Sequence, residues 1–137
     1  MPPAITAAHK RTRQDHANET AEDYVEAIAD IINTREACRV RDLADRFGVS
    51  HVTVVRITKR LEAAGYITTE PYRPIELTKI GSLLATQCRE RHDIVYRFLI
   101  TIGLDEQVAA IDSEGIEHHL SPSTLARFKE IANEGAL

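Results

Sequence analysis

Two short stretches of the chain place ionisable side chains at spacings that suit a cation. In "SEGIEHHLS", Glu114, Glu117 and His118 stand at i, i+3 and i+4, which would stack them on one helix face. In "AEDYVEAI", Asp23 and Glu26 stand at i and i+3. Like charges one turn apart repel by about 0.2–0.5 kcal/mol per pair, so each cluster asks for compensation. His92, in "RERHDIVYRFL", adds a second imidazole. Singly, each residue has an ordinary reading: Asp23 could complete a helix cap begun by Thr20, Glu26 could be solvated, and His92 could edge a core. If the segments meet, they make a donor set of four carboxylates and two imidazoles with no thiolate. Such a set suits Mn2+ or Fe2+, whereas thiolates favour Zn2+ or Cu+. Four carboxylates could also bridge a pair of ions.

The elements that must position these residues can be read along the chain. Residues 1–19 are polar, alanine-rich and without apolar periodicity, and are expected to form a flexible arm. His9, Lys10, Arg11 and Arg13 then read as a solvated tail, with phosphate contact as the alternative. Thr20 with Asp23 resembles a capping box, and Tyr24, Ile28, Ile31 and Ile32 follow at helical spacing. "VRDLADRFGV" predicts a short helix stopped by Gly48, and Ser50 caps a third helix with Val54, Ile57 and Leu61 inward. Gly65 ends it. "YITTEPYRPIELT" reads as a hairpin with Pro71 and Pro74 at its tip. A long helix is expected from Thr78 to about Ile102. Asp105 would cap the next, with Gly115 awkward inside it, and Ser121-Pro122 would start the last.

Helix, short helix, tight turn, helix and hairpin in that order are the winged helix-turn-helix arrangement. The outer face of the third helix then shows His51, Val52, Thr53, Val55, Arg56, Lys59 and Arg60. Arginine can read guanine edges, small apolar groups can touch thymine methyls, and further cations can hold phosphates. The N-terminal part of such a helix reaches bases. His51, Val52, Thr53 and Arg56 are therefore the candidates for base contact, and Lys59, Arg60 and the hairpin's Arg73 for phosphate. A solvated face on a protein-binding module is the plainer alternative, but it gives the exposed valines no purpose.

Composition agrees with a DNA-binding module joined to an acidic one. The 137 residues carry a net charge of −4, with 43% hydrophobic and 28% charged residues, which is ordinary for a folded domain. Basic residues concentrate between Arg39 and Arg60, while acidic ones dominate after Asp105. The two cysteines, Cys38 and Cys88, form neither a disulfide framework nor a zinc spacing. No apolar run approaches membrane-spanning length, and the N-terminus lacks a signal-peptide core, so a cytoplasmic protein is expected.

The two halves together resemble the manganese-sensing branch of the diphtheria toxin repressor family, the manganese transport regulators. The resemblance runs from about Glu22 to Arg127. It rests on "EDYVEAI", "LEAAGYI" entering the hairpin, "LTKIG" leaving it, "RHDIVYRFL", "IGLDE" and "EGIEHHLS". It implies a mostly α fold, with a winged helix-turn-helix domain over residues 20–78 and a helical metal-binding and dimerisation domain over 79–137. It implies metal ligation by Asp23, Glu26, His92, Glu114, Glu117 and His118, the same six residues, with Glu26, Glu114 and Glu117 bridging if two ions bind. The family's iron-sensing branch has methionine at the position of Asp23 and cysteine at that of Glu114, so carboxylates at both argue for manganese. His119 has no ligand role in the pattern.

Some features depart from the family pattern, among them an arm before Thr20 longer than many relatives have and "RPIE" in the hairpin, which could alter phosphate contacts. The chain stops before the SH3-like domain of the longer iron repressors, and "SHVTVV" opens the recognition helix where many relatives carry proline or serines. The implied activity is that of a non-enzymatic homodimer, joined through the helices after about Asp105. With Mn2+ bound it would grip double-stranded operator DNA and repress manganese uptake genes, the metal setting how its two DNA-binding heads are spaced. An iron-responsive or less selective metal regulator is the alternative. A dinuclear hydrolase is a poorer match, because no general base stands beyond the ligands. Neither a membrane nor an organic small-molecule substrate is expected.

Overall fold

In the computed structural model, which describes residues 3–135, the order is α1 (Pro3–Arg35), α2 (Val40–Phe47), α3 (His51–Ala63), β1 (Ile67–Thr68), β2 (Glu76–Leu77), α4 (Lys79–Thr101), α5 (Glu106–Ile116) and α6 (Pro122–Glu134). Two compact units result. One is Asn18–Thr86; the other begins at Gln87 and includes the N-terminal part of α1.

The stretch expected to be an arm is helical from Pro3, so α1 is 33 residues long and Thr20 lies inside it rather than capping it. The apolar stripe begins only near Ala21, which is why periodicity placed the start too late. The earlier turns are held by Ala, Gln, Lys and Arg, strong helix formers without an apolar face. Arg11 is tied down as well: its Nη2 donates to the carbonyl of His119 at 2.6 Å.

In the Asn18–Thr86 unit, Tyr24, Ile28 and Ile31 of α1 pack with Leu43, Ala44, Val54, Leu61, Ile67 and Ile75. Phe47 stacks on Tyr24 with ring centroids 4.3 Å apart. Burial of this kind stabilises by about 25 cal/mol per Å2 of apolar surface removed from water. Gly48, at φ +64°, supplies the left-handed turn that ends α2. Ser50 then accepts from the Thr53 amide to cap α3.

The hairpin pairs Ile67 with Leu77 and Thr68 with Glu76, antiparallel. Ile75 also forms a bridge with Cys38, donating its amide to the Cys38 carbonyl at 2.8 Å. The wing is thereby pinned to the segment before α2. Thr78 caps α4 by accepting from the Gly81 amide, while its own hydroxyl donates to the Gly65 carbonyl.

In the other unit, Val95, Leu99 and Ala109 form a small core with Phe98, Leu120, Leu125 and Phe128 packed on it. Phe98 and Phe128 stack at 3.8 Å between centroids. Asp105 caps α5 and Ser121 caps α6, with Pro122 in its first turn.

Candidate metal centre and nucleic-acid interface

The α-helix expected to carry Glu114, Glu117 and His118 on one face stops at Ile116, and Glu117–His119 tightens into a 3-10 turn. The three side chains consequently differ in environment. The Glu114 side chain is 60% exposed, while those of Glu117 and His118 are each 1% exposed. His92, on α4, lies with Nδ1 3.5 Å from a Glu114 oxygen and 3.4 Å from the Ser113 hydroxyl. His118 Nε2 lies 3.5 Å from Glu117 Oε1. The second Glu117 oxygen accepts from Arg91 Nε at 3.1 Å. Arg91 escaped the sequence reading, because a partner 26 positions away leaves no local signal.

Asp23 and Glu26 stand half-buried in the Asn18–Thr86 unit. Glu19 and Glu22 do too, and the four positions run i, i+3, i+4 and i+7 along one face of α1. Glu19 was overlooked because the helix was expected to begin at Thr20, which made it part of the arm; Glu22 lay inside the expected helix and was not singled out there.

The donor chemistry fits a divalent cation of the harder kind. The six candidates offer carboxylate oxygens and imidazole nitrogens only, and a carboxylate beside an imidazole is buried almost completely at Glu117–His118. Burying charge is costly unless an opposite charge accompanies it. Neither thiol belongs to the set. Cys38 lies in the core of the winged unit, and Cys88 Sγ sits 3.5 Å from Arg91 Nη2.

The DNA-facing candidates all lie in the Asn18–Thr86 unit. His51, Val52, Val55, Arg56, Lys59 and Arg60 are exposed along α3, with Val52 reaching 77% exposure. Thr53 is half-buried, and its hydroxyl lies 3.0 Å from that of Ser50, so it belongs to the cap as well as to the exposed turn. Between α3, the start of α2 and the hairpin runs a groove of about 540 Å3, lined by Arg39, Arg41, His51, Lys59 and Arg73 among others. Arg73 is exposed and faces Glu70 at 3.5 Å.

Two family models match the chain: the iron dependent repressor's N-terminal DNA binding domain over residues 16–75, and its metal binding and dimerisation domain over 78–134. The chain belongs to the iron-dependent repressor family. Within it, the chain is 42% identical over 120 residues to the transcriptional regulator MntR of Escherichia coli O6:H1, covering 88% of this chain and 77% of that one. It is 43% identical over 119 residues to MntR of Salmonella typhimurium, covering 87% and 76%. Among solved structures, a manganese-dependent transcriptional repressor in complex with manganese superposes with a TM-score of 0.74 at 24% identity. That match covers 82% of this chain and 52% of the other, and it establishes the likeness of fold.

Proposed function

We propose that this repressor-family chain is a manganese-responsive transcriptional regulator that represses manganese uptake genes when loaded with Mn2+. The observation that carries the choice of metal is the all-oxygen-and-nitrogen donor set, with carboxylates at both Asp23 and Glu114 and no thiolate. Asp23, Glu26, His92, Glu114, Glu117 and His118 are the ligands we assign. Bound there, a divalent cation neutralises clustered carboxylates and so favours one folded arrangement of the residues that hold it. Relatives of comparable length that carry the name MntR support the same reading.

His51, Val52, Thr53 and Arg56 read the operator duplex, and Lys59, Arg60 and Arg73 hold its phosphates. The exposed, mixed apolar and cationic face of α3 and the exposed Arg73 of the hairpin support this division. The protein works as a homodimer. Leu104, Val108 and Ile111 lie exposed at i, i+4 and i+7 at and along α5, an apolar stripe that a second copy would cover. A two-fold dimer places its half-sites one helical turn apart or a multiple of it. We assign a cytoplasmic location and no catalytic step; among the described residues, no helix is long and apolar enough to cross a membrane.

Metal and DNA affinities are linked reciprocally, with a coupling of about 1–3 kcal/mol as the usual scale. The test is a titration of chelator-treated protein against promoter DNA from a manganese uptake gene at fixed salt. Mn2+, anaerobic Fe2+ and Zn2+ are compared, with Glu114→Ala as control. Tight binding with Mn2+ that the variant loses supports the proposal. Equal binding with and without metal would refute the sensor. A response to Fe2+ at lower concentration than to Mn2+ would reassign it to iron.

A further inference from the structure

The turn that carries Glu117 and His118 is closed from far away in the sequence. α5 ends at Ile116 and the chain tightens into the 3-10 turn Glu117–His119, after which Leu120 is extended at φ −88° and ψ 140°. Helix ends leave carbonyls without intrahelical amide partners. α2 and α6 close theirs with left-handed glycines, Gly48 and Gly135, whose amides donate back to the Ala44 and Ile131 carbonyls. An extended Leu120 supplies no such cap. A 3-10 turn also has poorer hydrogen-bond geometry than an α-helix, so its shape depends more on outside contacts. Here a contact comes from Arg11, whose Nη2 donates to the His119 carbonyl at 2.6 Å.

Arg11 suits this position chemically. Its bond is charge-assisted, and a cation at the carbonyl end of a helix is favoured by the backbone dipoles. The first turns of α1 belong to the same compact unit as the turn, yet residues 4–13 are exposed. Apolar burial therefore does not account for their docking, whereas the Arg11 bond contributes to it. Arg11 also precedes the stretch that the family model matches, which begins at residue 16. Glu117 and His118 are almost fully buried, so their donor atoms go where the main chain of the turn puts them. We propose that Arg11 is a positioning residue for the metal: by fixing the His119 carbonyl, it holds the turn so that Glu117 and His118 present their donor atoms together. The inference rests on the ligand assignment above and adds a residue that acts on those ligands through the main chain.

The test compares two substitutions in the whole chain. Arg11→Met keeps an unbranched side chain and removes its donors, while Arg11→Lys keeps a charge and a donor. Removing a nearby cation would by itself tighten Mn2+ binding. Loss of positioning predicts the opposite sign. In calorimetric titration without DNA, Mn2+ should bind Arg11→Met about fivefold more weakly, the scale of one hydrogen bond. Arg11→Lys should recover to within about twofold of wild type, since it still offers a charged donor. In the metal-free protein, amide hydrogen exchange over residues 117–120 should quicken in Arg11→Met by a similar factor of about five. It should return to the wild-type rate in Arg11→Lys, while α2 and α3 exchange as before in both variants.

Equal or tighter Mn2+ binding in Arg11→Met would overturn the proposal, because Arg11 would then act through its charge or not at all. Faster exchange spread over both units would do the same, by making the residue a general stabiliser, and so would a failure of Arg11→Lys to restore binding. His118→Ala separates the two levels. If it loses Mn2+ while Arg11→Met keeps wild-type affinity, only the role of Arg11 falls. If it binds Mn2+ as wild type does, or if the wild-type protein binds none, the ligand assignment fails and takes the role of Arg11 with it.

Discussion

Arg91 Nε donates to Glu117 Oε2 at 3.1 Å, and the carboxylate it reaches is 1% exposed. A guanidinium thus accompanies a carboxylate that we assign to metal binding. Removing one member of a buried pair usually costs about 3–5 kcal/mol. Arg91 is itself 21% exposed, so the metal-free Arg91→Ala protein should lose somewhat less, about 2–3 kcal/mol in urea unfolding. The same change takes a positive charge away from a cation site, so Mn2+ should bind the variant about fivefold more tightly or better. Calorimetric titration would show it. Weaker Mn2+ binding in the variant would instead make Arg91 the group that orients Glu117 for the metal.

Gly81 and Gly115 make opposite predictions. A Cβ built on Gly81 would run into the carbonyl of Tyr66, which is held in place by the Thr78 amide at 3.0 Å. Gly81→Ala should therefore destabilise by about 2–3 kcal/mol in spite of alanine's better helix propensity. Nothing stands within 4 Å of the corresponding position on Gly115, inside α5. Gly115→Ala should stabilise the metal-free protein by about 0.5–1 kcal/mol. Urea midpoints of the two variants, measured side by side, decide both.

These glycines also mark the limit of what the sequence could say. The caps at Ser50, Asp105 and Ser121 were legible because a cap needs only a side chain and the amide three residues on. The inward set Val54, Ile57 and Leu61 was legible because helical period alone selects it. The first turns of α1 were not, since propensity without an apolar stripe carries no periodic signal. The tight turn at Glu117–His119 was equally hidden: a 3-10 ending has the same residue types as a continued α-helix. Residue types nominated all six ligand candidates, but not their companions. Arg91 beside Glu117 and the bridge from Ile75 to Cys38 are both long-range contacts, which no local spacing encodes.

Cys38 is fully buried in the winged unit, and its thiol pKa is pushed up to about 11. Burial is the main cause; the Asp42 carboxylate adds to it and Arg46 opposes it. A raised pKa means that the folded protein keeps the proton after the unfolded chain, titrating near 9, has lost it. Stability from this group is therefore complete below pH 9 and declines as pH rises from about 9 to about 11. Tyr24, also raised by burial, extends the decline above pH 10. Cys38→Ala should flatten the first part of the curve, and in the wild type Cys38 should react with a thiol reagent at pH 8 only after denaturant is added. Rapid labelling of native Cys38 would contradict the burial.

Within the ligand set we propose, Glu114 gives the sharpest handle on metal choice. Its carboxylate oxygen lies 3.5 Å from His92 Nδ1, and its side chain is 60% exposed, so substitution there leaves the core untouched. Replacing it by cysteine and Asp23 by methionine, the pair that the sequence resemblance attributes to the family's iron-sensing branch, exchanges two oxygen donors of the proposed ligand set for soft sulfur. Mn2+ holds sulfur poorly, whereas Fe2+ and especially Zn2+ tolerate it. The Asp23→Met, Glu114→Cys double variant should lose at least about tenfold in Mn2+ affinity while retaining or gaining Zn2+ affinity. Competition against a fluorescent chelator, metal by metal and without DNA, measures this directly. If both metals weaken in parallel, the two positions support the fold of the site without discriminating between ions. If Mn2+ affinity does not move at all, neither residue is a ligand, and the metal must be sought among Glu26, His92, Glu117 and His118.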